Sequence, residues 1–446
     1  MIAVLIRDVT QSHLPFGAQT GFLTEAAIHC SQELTAQDPI FCVLTPEALS
    51  QGLRSAVGEG SASVFGWIWK EGVWQKASCQ IQLVMDRFFS KDGVPTSQFE
   101  ESQVLAARAG IPWANPSSFM ELSFDKWKSH EFFCAHRIPT PSSVLLSKAE
   151  SKEVVELEKA TQGWSVGLLK PRFGGKGRDI WYWKRVGERI SIFPTFEALD
   201  TFHSAKVWWE ANGDRDWIAQ EYVPSIKNRG AKADREDQNH PQEMRLWLQK
   251  QPGEVWKLSA MAGRSLPQKM NGGDCFVEIR NLASGGKYVP LLGTGWEELE
   301  KSVFEEGVRL WRPKRSVINK QDESKGQLFE EHLHPVLEGQ ILGEPKQILD
   351  LALRWVQGVK RHLSEKDEGL VFECALDLII RDQVWMILEM NSKPGRSIHK
   401  MKHNWTEKDR GNHFSKWIDK SRKELVFAPF RYLSSLLDPQ GELPYI

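Results

Sequence analysis

The sequence predicts an α/β protein in which an N-terminal α/β domain is followed by two domains built on antiparallel strands. Short apolar runs at 2–6 and 40–44 flank a helix-like stretch near 21–34, which is typical of an α/β layer. Further along the chain, pairs of apolar segments are separated by short turns, which is the pattern of antiparallel strands. A chain of 446 residues is long enough for two or three domains with their own cores.

The predicted N-terminal domain covers residues 1–120. Within it, the segments 64–69 and 73–77 form a predicted hairpin around a turn at Glu71-Gly72. The apolar segment IQLVMDR at 81–87 follows as another buried strand.

The predicted central domain covers residues 121–224. It begins with a helix near 123–136, for which Ser123 is the expected N-cap because a serine side chain can accept a hydrogen bond from the first helical amides. The remaining elements are a strand at 164–171, a glycine-rich turn at 172–178, a strand at 179–184 and an apolar strand at 217–224 that ends in proline.

The predicted C-terminal domain covers residues 225–446. Its first stretch, 225–242, is polar and nearly free of large apolar groups, which indicates a surface insertion. The elements that follow are an antiparallel pair at 243–249 and 255–264, a helix at 346–363, and a final hairpin at 372–382 and 384–391.

The composition excludes several classes of partner. The chain has 57 basic and 58 acidic side chains, so it lacks the strongly basic balance that binding to nucleic acid or an anionic membrane requires. No run approaches the roughly 18 apolar residues that span a bilayer. We therefore expect a cytoplasmic protein with neither nucleic acid nor membrane as a partner. The composition leaves the oligomeric state open.

Two carboxylates and an amide stand in the final hairpin. Asp377 lies in its first strand, and Glu389 and Asn391 end its second strand. Residues two apart in a strand share a face, so Glu389 and Asn391 point the same way and Asp377 can face them. Acidic side chains are costly inside so apolar a hairpin unless a cation is present. The three side chains therefore predict a Mg2+ site whose other ligands are phosphate and water.

A lysine ends the strand that precedes the glycine-rich loop. Lys170 is followed by the loop residues Gly174, Gly175, Lys176 and Gly177. At this place a lysine can contact phosphate oxygens while loop amides cover the phosphates, because glycine allows a close backbone approach. The spacing differs from that of a Walker A loop, which opens a helix. Taken alone, the loop is also explained by an ordinary glycine-rich hairpin turn.

Four further features are ambiguous when each is taken singly. Lys126 lies on the predicted helix, where a solvated lysine is the simpler interpretation. The strand end 220–223 has backbone that can contact an adenine edge, or it is a plain strand end. Arg245 and Arg264 occupy an antiparallel pair and suit a phosphoryl group, since a guanidinium stays charged and binds two oxygens. The run 280–287 supplies amide donors and a flexible loop for a substrate or a transferred phosphoryl group.

Taken in order, these motifs resemble the ATP-grasp superfamily. The matching features are DKW on a helix, KP before a glycine loop, QEYV, EMR, RNLASGG, and the aspartate followed by EMNSKPG. More closely, the chain resembles the YheC/YheD-like family associated with endospore coats. The segments FGWIWKEGVW, MDR and VFAPFRYLSSLL fit that family too, so the similarity covers most of the chain.

The resemblance implies an ATP-grasp fold, in which ATP is clamped between the antiparallel sheets of the central and C-terminal domains. The residues that it implies for ATP binding are Lys126, Lys170, Gly174, Gly175, Lys176, Gly177, Glu221, Tyr222, Val223 and, for the ribose, Glu243. Those that it implies for Mg2+ are Asp377, Glu389 and Asn391. Those that it implies for the transferred phosphoryl group are Arg264 and Arg245, and those for the substrate are Arg280, Asn281, Ser284, Gly285 and Gly286.

The reaction common to the superfamily has two steps. A carboxylate attacks the γ-phosphate of ATP to give an acylphosphate, and an amine or another nucleophile then displaces phosphate. The resemblance thus implies an ADP-forming ligase acting on an amino acid, a peptide or another small carboxylate. Two alternatives stay open: a coat-associated structural protein that keeps the fold without turnover, and a small-molecule kinase. A scaffold has no need of Mg2+ ligands, whereas a kinase shares every ATP-site residue with a ligase.

Overall fold

The structure, a computed structural model, contains three β-sheets within the residues that it describes. Those residues are 1–7, 20–33, 39–88, 97–148, 155–174, 179–187, 189–194, 203–223, 243–252, 255–265, 287–290, 308–310, 345–381, 384–394 and 412–437. The sheets follow one another along the chain, and helices pack against them. The predicted mixed α/β architecture with antiparallel sheets is therefore confirmed.

The first sheet is formed by the N-terminal part of the chain. Its described strands are β1 (Ile2–Leu5), β2 (Phe41–Leu44), β3 (Ala62–Lys70), β4 (Val73–Ile81), β5 (Leu83–Asp86) and β6 (Trp113–Ala114). The helices of this part are α1 (Thr20–Glu33), α2 (Pro46–Leu53) and α3 (Ser97–Ala109). The strand order is β4-β3-β2-β1-β5-β6, in which the pairs from β2 to β6 are parallel and the other pairs are antiparallel.

Burial explains the continuous apolar runs of this sheet. Every residue of β1, β2 and β5 is buried, as expected for central parallel strands covered on both faces. The predicted hairpin is confirmed, because β3 and β4 meet at Glu71 and Gly72, whose φ angles of +54° and +81° suit a tight two-residue turn. The predicted single strand at 81–87 is instead divided, since β4 ends at Ile81 and β5 then pairs with β1.

The second sheet is antiparallel throughout the described strands. These strands are β7 (Ser143–Leu146), β8 (Val166–Pro171), β9 (Trp181–Val186), β10 (Arg189–Pro194), β11 (His203–Ser204) and β12 (Trp217–Glu221). The helices of this part are α4 (Ser117–Phe124), α5 (Lys126–Ala135), α6 (Val155–Ala160) and α7 (Ala205–Asn212). The strand order is β11-β10-β9-β8-β12-β7. The predicted strands at 164–171, 179–184 and 217–224 correspond to β8, β9 and β12.

The predicted helix near 123–136 is in fact two helices, and its expected N-cap is wrong. Helix α4 ends at Phe124, and Asp125 caps α5 by accepting hydrogen bonds from the amides of Trp127 (2.9 Å) and Lys128 (3.2 Å). Ser123 instead donates from Oγ to the backbone oxygen of Met120 at 3.0 Å. Aspartate caps a helix as well as serine does, and its charge also favours the helix N-terminus, so the cap lies two residues later than predicted.

The third sheet is formed by the C-terminal part of the chain. Its described strands are β13 (Glu243–Gln251), β14 (Val255–Ser265), β15 (Lys287–Pro290), β16 (Val308–Leu310), β17 (Glu373–Arg381) and β18 (Val384–Asn391). The helices are α8 (Pro345–His362), α9 (Glu365–Leu370) and α10 (Asn412–Leu437). The strand order is β15-β14-β13-β17-β18, all antiparallel, and β16 pairs with β14 in parallel.

Helix α8 covers one face of the third sheet and confirms the helix predicted at 346–363. Its apolar face is buried and consists of Ile348, Leu351, Ala352, Trp355, Val356 and Val359. Phe119 of α4 and Phe132 of α5 belong to the same core, so both helices pack on the third sheet. The opposite face of this sheet carries polar side chains, among them those of Gln249, Glu373 and Asp377.

The last helix, α10, returns to the first sheet. Its Phe430 stacks on Phe41 of β2 with ring centroids 4.4 Å apart, inside the core that contains β1. The proposed domain boundaries at 120 and 224 stay a prediction. None of the helices in the described ranges has the length and apolar character needed to cross a membrane.

Candidate functional site

A row of charged side chains crosses three neighbouring strands of the third sheet. Arg245 of β13, Asp377 of β17 and Glu389 of β18 are direct partners in strand register. Arg245 binds the Asp377 carboxylate with two hydrogen bonds of 2.5 Å, from Nε to Oδ1 and from Nη2 to Oδ2. Asn391 lies beside them and donates from Nδ2 to Oε1 of Glu389 at 3.4 Å. The three predicted metal ligands and Arg245 are thus brought together.

A β-bulge in β18 sets the direction of Glu389. Asp377 pairs with Glu389, whereas Leu378 pairs with Ile387, so Leu388 is the extra residue. Residues two apart in a regular strand share a face, yet Ile387 is fully buried in the core while Glu389 lies opposite Asp377. The bulge therefore lets Ile387 pack in the apolar core while Glu389 lies beside Asp377. Bulges are common beside functional sites.

Two lysines approach Glu389 from helix α5 and the second sheet. Lys170 of β8 donates from Nζ to Oε1 of Gln220, on the neighbouring strand, at 2.6 Å. Lys126, the first residue of α5, donates from Nζ to the backbone oxygens of Pro171 at 3.1 Å and Gly174 at 2.6 Å. Both lysines line one cleft together with Glu389.

The cleft lies between the second and third sheets and contains groups that the sequence did not single out as site residues. Besides the two lysines, Glu389 and Phe133, its lining residues are His130, Thr140, Ser143, Ile218, Gln220 and Leu388. His130 follows Lys126 by four residues, so helical spacing alone places both on one face of α5. Gln220 is a buried amide inside an apolar strand, which is a second available signal.

Burial changes the ionisation of the charged groups in the cleft. It lowers the pKa of Lys126 to about 8, an effect that Glu389 partly offsets and Lys170 reinforces. Burial also lowers the pKa of Lys170, against the attraction of Glu389, Glu243 and Asp377. The pKa of Glu389 is raised, first by burial and then by the neighbouring charge of Asp377. Perturbations of this kind in a cleft are typical of functional sites.

Asp125 joins the beginning of α5 to the end of β8. Besides capping the helix, it forms an ion pair with Arg172, with 2.7 Å between Oδ2 and Nη2. Arg172 also pairs with Asp216 at 3.1 Å, and its backbone oxygen accepts a hydrogen bond from the amide of Lys126 at 3.1 Å. One buried carboxylate therefore fixes Lys126 relative to the strand that carries Lys170.

The predicted glycine-rich turn begins at Arg172, and its first glycine is Gly174. Gly174 has a φ of +121°, which side chains with a Cβ rarely adopt. The other predicted loop residues, Gly175, Lys176 and Gly177, lie outside the described residues. The described part of the loop is thus its first turn, which Lys126 holds through the oxygen of Gly174.

The predicted adenine hinge follows β12. The amides of Glu221 and Tyr222 donate to backbone oxygens of neighbouring segments at 2.8 and 3.2 Å, so the sheet already uses both. The Val223 side chain is buried. The Glu221 carboxylate pairs with Arg381 of β17, with 3.0 Å between Oε2 and Nη1, and this pair joins the second sheet to the third.

Glu243 and Arg264 are direct partners at one end of the β13–β14 pair. Glu243 lies close enough to Lys170 for its charge to raise the pKa of that lysine against the effect of burial. The structure places the backbone of Arg264 in β14. The predicted substrate residues Arg280, Asn281, Ser284, Gly285 and Gly286, and the predicted insertion at 225–242, lie outside the described residues.

The donor set of the row fits Mg2+. Asp377 and Glu389 offer carboxylate oxygens and Asn391 offers an amide oxygen, and these are the hard donors that Mg2+ prefers. The repulsion between the two carboxylates, which contributes to the raised pKa of Glu389, is the kind of strain that a bound cation relieves. No cluster of three or more His, Cys, Asp or Glu side chains suited to a metal occurs among the described residues.

Comparisons with known proteins give structural neighbours. No protein-family model matches the chain, and no curated protein matches it. The D-alanyl-alanine synthetase A of Vibrio cholerae O1 biovar eltor is 13% identical, with a TM-score of 0.42 over 95% of this chain and 98% of that chain. D-cycloserine synthetase DcsG is 12% identical, with a TM-score of 0.46 over 98% of this chain and 100% of that chain.

A third neighbour carries the superfamily in its name. A RimK domain protein ATP-grasp from Sphaerobacter thermophilus is 11% identical, with a TM-score of 0.44 over 96% of this chain and 99% of that chain. Each of these proteins is one that the chain is similar to. The finer resemblance to the YheC/YheD-like family stays a prediction.

Proposed function

We propose that the chain is an ATP-dependent carboxylate–amine ligase that releases ADP and phosphate. The observation that carries the proposal is the cleft between the second and third sheets, where Lys126 and Lys170 approach Glu389. Partly desolvated lysines suit phosphate oxygens, and the Asp377–Glu389 pair suits the Mg2+ that accompanies a nucleotide. The order of these groups along the chain is that of the ATP-grasp motifs.

The nucleotide is proposed to lie with its phosphates between the two lysines. Lys126 would exchange its bonds to the oxygens of Pro171 and Gly174 for phosphate oxygens, and the loop 174–177 would cover them. At the hinge, the amides of Glu221 and Tyr222 are used by the sheet, so the amide of Val223 is the proposed donor to adenine. Glu243 is proposed to contact the ribose.

Mg2+ is proposed to bind to the side chains of Asp377, Glu389 and Asn391. When bound, the ion would neutralise charge on the phosphate oxygens. Arg245 grips both oxygens of Asp377, so its proposed role is to orient that ligand and limit the repulsion between the two carboxylates. Arg264 is the proposed contact to the transferred phosphoryl group, with Arg280, Asn281, Ser284, Gly285 and Gly286 near the substrate.

The proposed reaction proceeds by attack of a substrate carboxylate oxygen on the γ-phosphorus. The bond from that phosphorus to the bridging oxygen breaks, ADP leaves, and an acylphosphate forms. An amine nitrogen then attacks the acyl carbon, loses a proton, and expels phosphate to leave an amide. The protein contributes by positioning the reactants and by neutralising charge, without a covalent enzyme intermediate.

Nucleotide binding is the first test. A non-hydrolysable ATP analogue with Mg2+ should raise the Tm of the wild-type protein, because a ligand that binds the folded state stabilises it. Lys170→Met should abolish most of this shift, whereas the control Lys128→Met, at an exposed position of α5, should leave it unchanged. The absence of a shift in the wild type at millimolar nucleotide would contradict the proposal.

Product analysis is the second test. The protein should be incubated with ATP, Mg2+ and pools of amino acids and small peptides, and the products identified by mass spectrometry. A ligase gives ADP that depends on both a carboxylate and an amine, and Arg264→Ala should suppress ADP formation by orders of magnitude while nucleotide binding persists. A stable phosphate ester formed without an amine, as distinct from the labile acylphosphate of the ligase mechanism, would replace the ligase by a kinase. ADP at background in every pool would refute both activities.

A further inference from the structure

The segment 392–394, which follows β18, is held by contacts from the first sheet. Residues 392–394 come directly after Asn391, the last residue of β18. Asp86, the last residue of β5, and the next residue, Arg87, contact this segment although they are about 300 positions earlier in the sequence. Strand ends fray unless other elements hold them, so contacts at this place control how firmly Glu389 and Asn391 are held.

The first contact is a buried ion pair between Asp86 and Lys393. Lys393 Nζ lies 2.6 Å from Oδ2 of Asp86 and donates to the backbone oxygen of Phe88 at 3.0 Å. The other carboxylate oxygen of Asp86 accepts a hydrogen bond from the amide of Phe88 at 2.8 Å. The carboxylate is fully buried, so the position of Lys393 is tightly constrained by the need to stay paired.

The second contact is made by Arg87, which is buried almost completely. Its Nη1 donates to Oε1 of Glu373, the first residue of β17, at 2.9 Å. Its Nη2 donates to the backbone oxygen of Pro394 at 3.2 Å. One guanidinium therefore joins the beginning of β17 to the segment that ends β18, the two strands that carry Asp377 and Glu389.

The third contact is made by Asn115, which follows β6 in the first sheet. Its Nδ2 donates to the backbone oxygens of Ser392 and, at 3.4 Å, of Glu373, and its Oδ1 accepts from the amide of Phe372 at 3.1 Å. Its φ is +54°, in the region that favours Asn and Gly. From α4, Ser123 adds a hydrogen bond to the Oγ of Ser392 at 2.7 Å.

We infer that Asp86, Arg87 and Asn115 are positioning residues that fix the end of β18 and thereby set the Mg2+ affinity of the site. The inference rests on the proposed function. Mg2+ demands oxygen ligands in near-ideal octahedral geometry at about 2.0–2.1 Å, so movement of Glu389 or Asn391 by a fraction of that distance weakens binding. Buried ion pairs give little net stability compared with apolar packing, but their geometry is directional.

A conservative variant of Arg87 tests this inference. Arg87→Lys keeps the positive charge beside Glu373 but cannot hold Glu373 and the oxygen of Pro394 with a fixed fork. The half-saturating Mg2+ concentration for the nucleotide-dependent Tm shift should rise about tenfold or more, the scale typical of groups that orient metal ligands. Nucleotide binding in EDTA should stay as in the wild type, because the lysines that contact phosphate are untouched.

A matched control and a second variant complete the test. Arg185 also joins separate segments by donating to backbone oxygens, but it lies in the second sheet. Arg185→Lys should therefore leave the Mg2+ requirement unchanged. If Arg87→Lys does not fold, Asn115→Gly retains the positive φ and removes the side-chain hydrogen bonds to Ser392, Phe372 and Glu373, and it should raise the Mg2+ requirement in the same way.

The outcomes separate this inference from the proposed function. A wild-type protein that binds no Mg-nucleotide would refute the proposed function and the inference with it. A wild type that binds normally, with Arg87→Lys and Asn115→Gly equal to it in Mg2+ requirement, would overturn the inference alone. An equal change in the Arg185→Lys control would also overturn it, because general loosening of the fold would then account for the effect.

Discussion

The two walls of the cleft are built in different ways. On the third sheet, Arg245, Asp377 and Glu389 are placed by strand register, so the backbone hydrogen bonds of three strands fix their spacing. On the opposite wall, the ammonium groups are held by side-chain hydrogen bonds: Lys126 donates to the backbone oxygens of Pro171 and Gly174, and Lys170 donates to Gln220. A lysine has a long flexible stem, whereas residues in a sheet cannot change partners without breaking it. The acidic wall is therefore preorganised, and the lysine wall can adapt to a ligand.

Burial acts on the two walls with opposite sign. It raises the pKa of Glu389 and lowers the pKa values of Lys126 and Lys170, so each wall is pushed towards its neutral form. Each wall also moderates the shift of the other. A nucleotide bound with its cation brings negative charge to the lysines and positive charge to the carboxylates, which relieves both walls together. Variants of single residues should therefore distinguish the contribution of the carboxylates from that of the lysines.

The largest expected effect comes from Glu389, whose proposed role is to bind Mg2+. Glu389→Gln should lower turnover by about a thousandfold, because loss of a proposed Mg2+ ligand would remove several kcal/mol of charge stabilisation. In the wild type the raised pKa of Glu389 means that the stability contributed by its protonated form is lost as pH rises through that pKa. Without nucleotide, the variant should thus be at least as stable as the wild type at neutral pH.

Two measurements on the Glu389→Gln variant check this expectation. The rate of ADP formation gives the loss of turnover, and urea unfolding at neutral and acidic pH gives the free energy of unfolding. The difference in the free energy of unfolding between the variant and the wild type should shrink at acidic pH, where Glu389 is protonated in both the folded and the unfolded wild type. Normal turnover, or a variant that is unfolded at neutral pH, would contradict the assignment.

The next effect concerns Asp377, which differs from Glu389 because it holds Arg245. Asp377→Asn leaves the partly buried guanidinium of Arg245 against a neutral amide, and breaking a largely buried pair in this way costs about 3 kcal/mol. Urea unfolding should therefore show a clear loss of stability for Asp377→Asn that Glu389→Gln does not share. A double variant, Arg245→Met with Asp377→Leu, should recover much of this stability but bind no Mg2+. If Asp377→Asn and Glu389→Gln were equally stable, the expectation that Asp377 stabilises the fold through Arg245 and Glu389 does not would be wrong.

The acidic row could be predicted from the sequence because most of it is local. Asp377 and Glu389 lie in one hairpin, and the alternation of side chains along a strand is enough to place them on one face. The bulge at Leu388 was not predictable, since its neighbours Ile387 and Glu389 read as a regular strand. The pairing of Arg245 with Asp377 joins strands 132 positions apart, which no local pattern specifies.

The lysine wall was harder to predict for a physical reason. Ser123 was expected to cap the helix that carries Lys126. Serine and aspartate are both common N-cap residues, so the sequence alone does not decide between Ser123 and Asp125. The structure chooses Asp125, whose carboxylate also binds Arg172 from the end of β8. The contacts of Asp86 and Arg87 with residues 392–394 belong to the same class, since only the folded chain brings these segments together.

The smallest expected effect is the pH dependence of nucleotide affinity, and it belongs to the lysine wall. The pKa of Lys126 is about 8 in the unliganded protein, so this lysine loses its charge as pH rises from 7 to 9. A phosphate contact needs the protonated form, and binding above pH 8 must therefore take up a proton. With that pKa, affinity should fall by about tenfold between pH 7 and pH 9.

Lys126→Arg should remove this decline, because a guanidinium stays charged throughout the range. Lys170 and Glu389 face the same space and titrate in their own ranges, so any slope that persists in Lys126→Arg belongs to them. Isothermal titration with a non-hydrolysable nucleotide in buffers of different ionisation enthalpy measures both the affinity and the proton uptake. An identical decline in Lys126→Arg and in the wild type would show that Lys126 is not a phosphate contact.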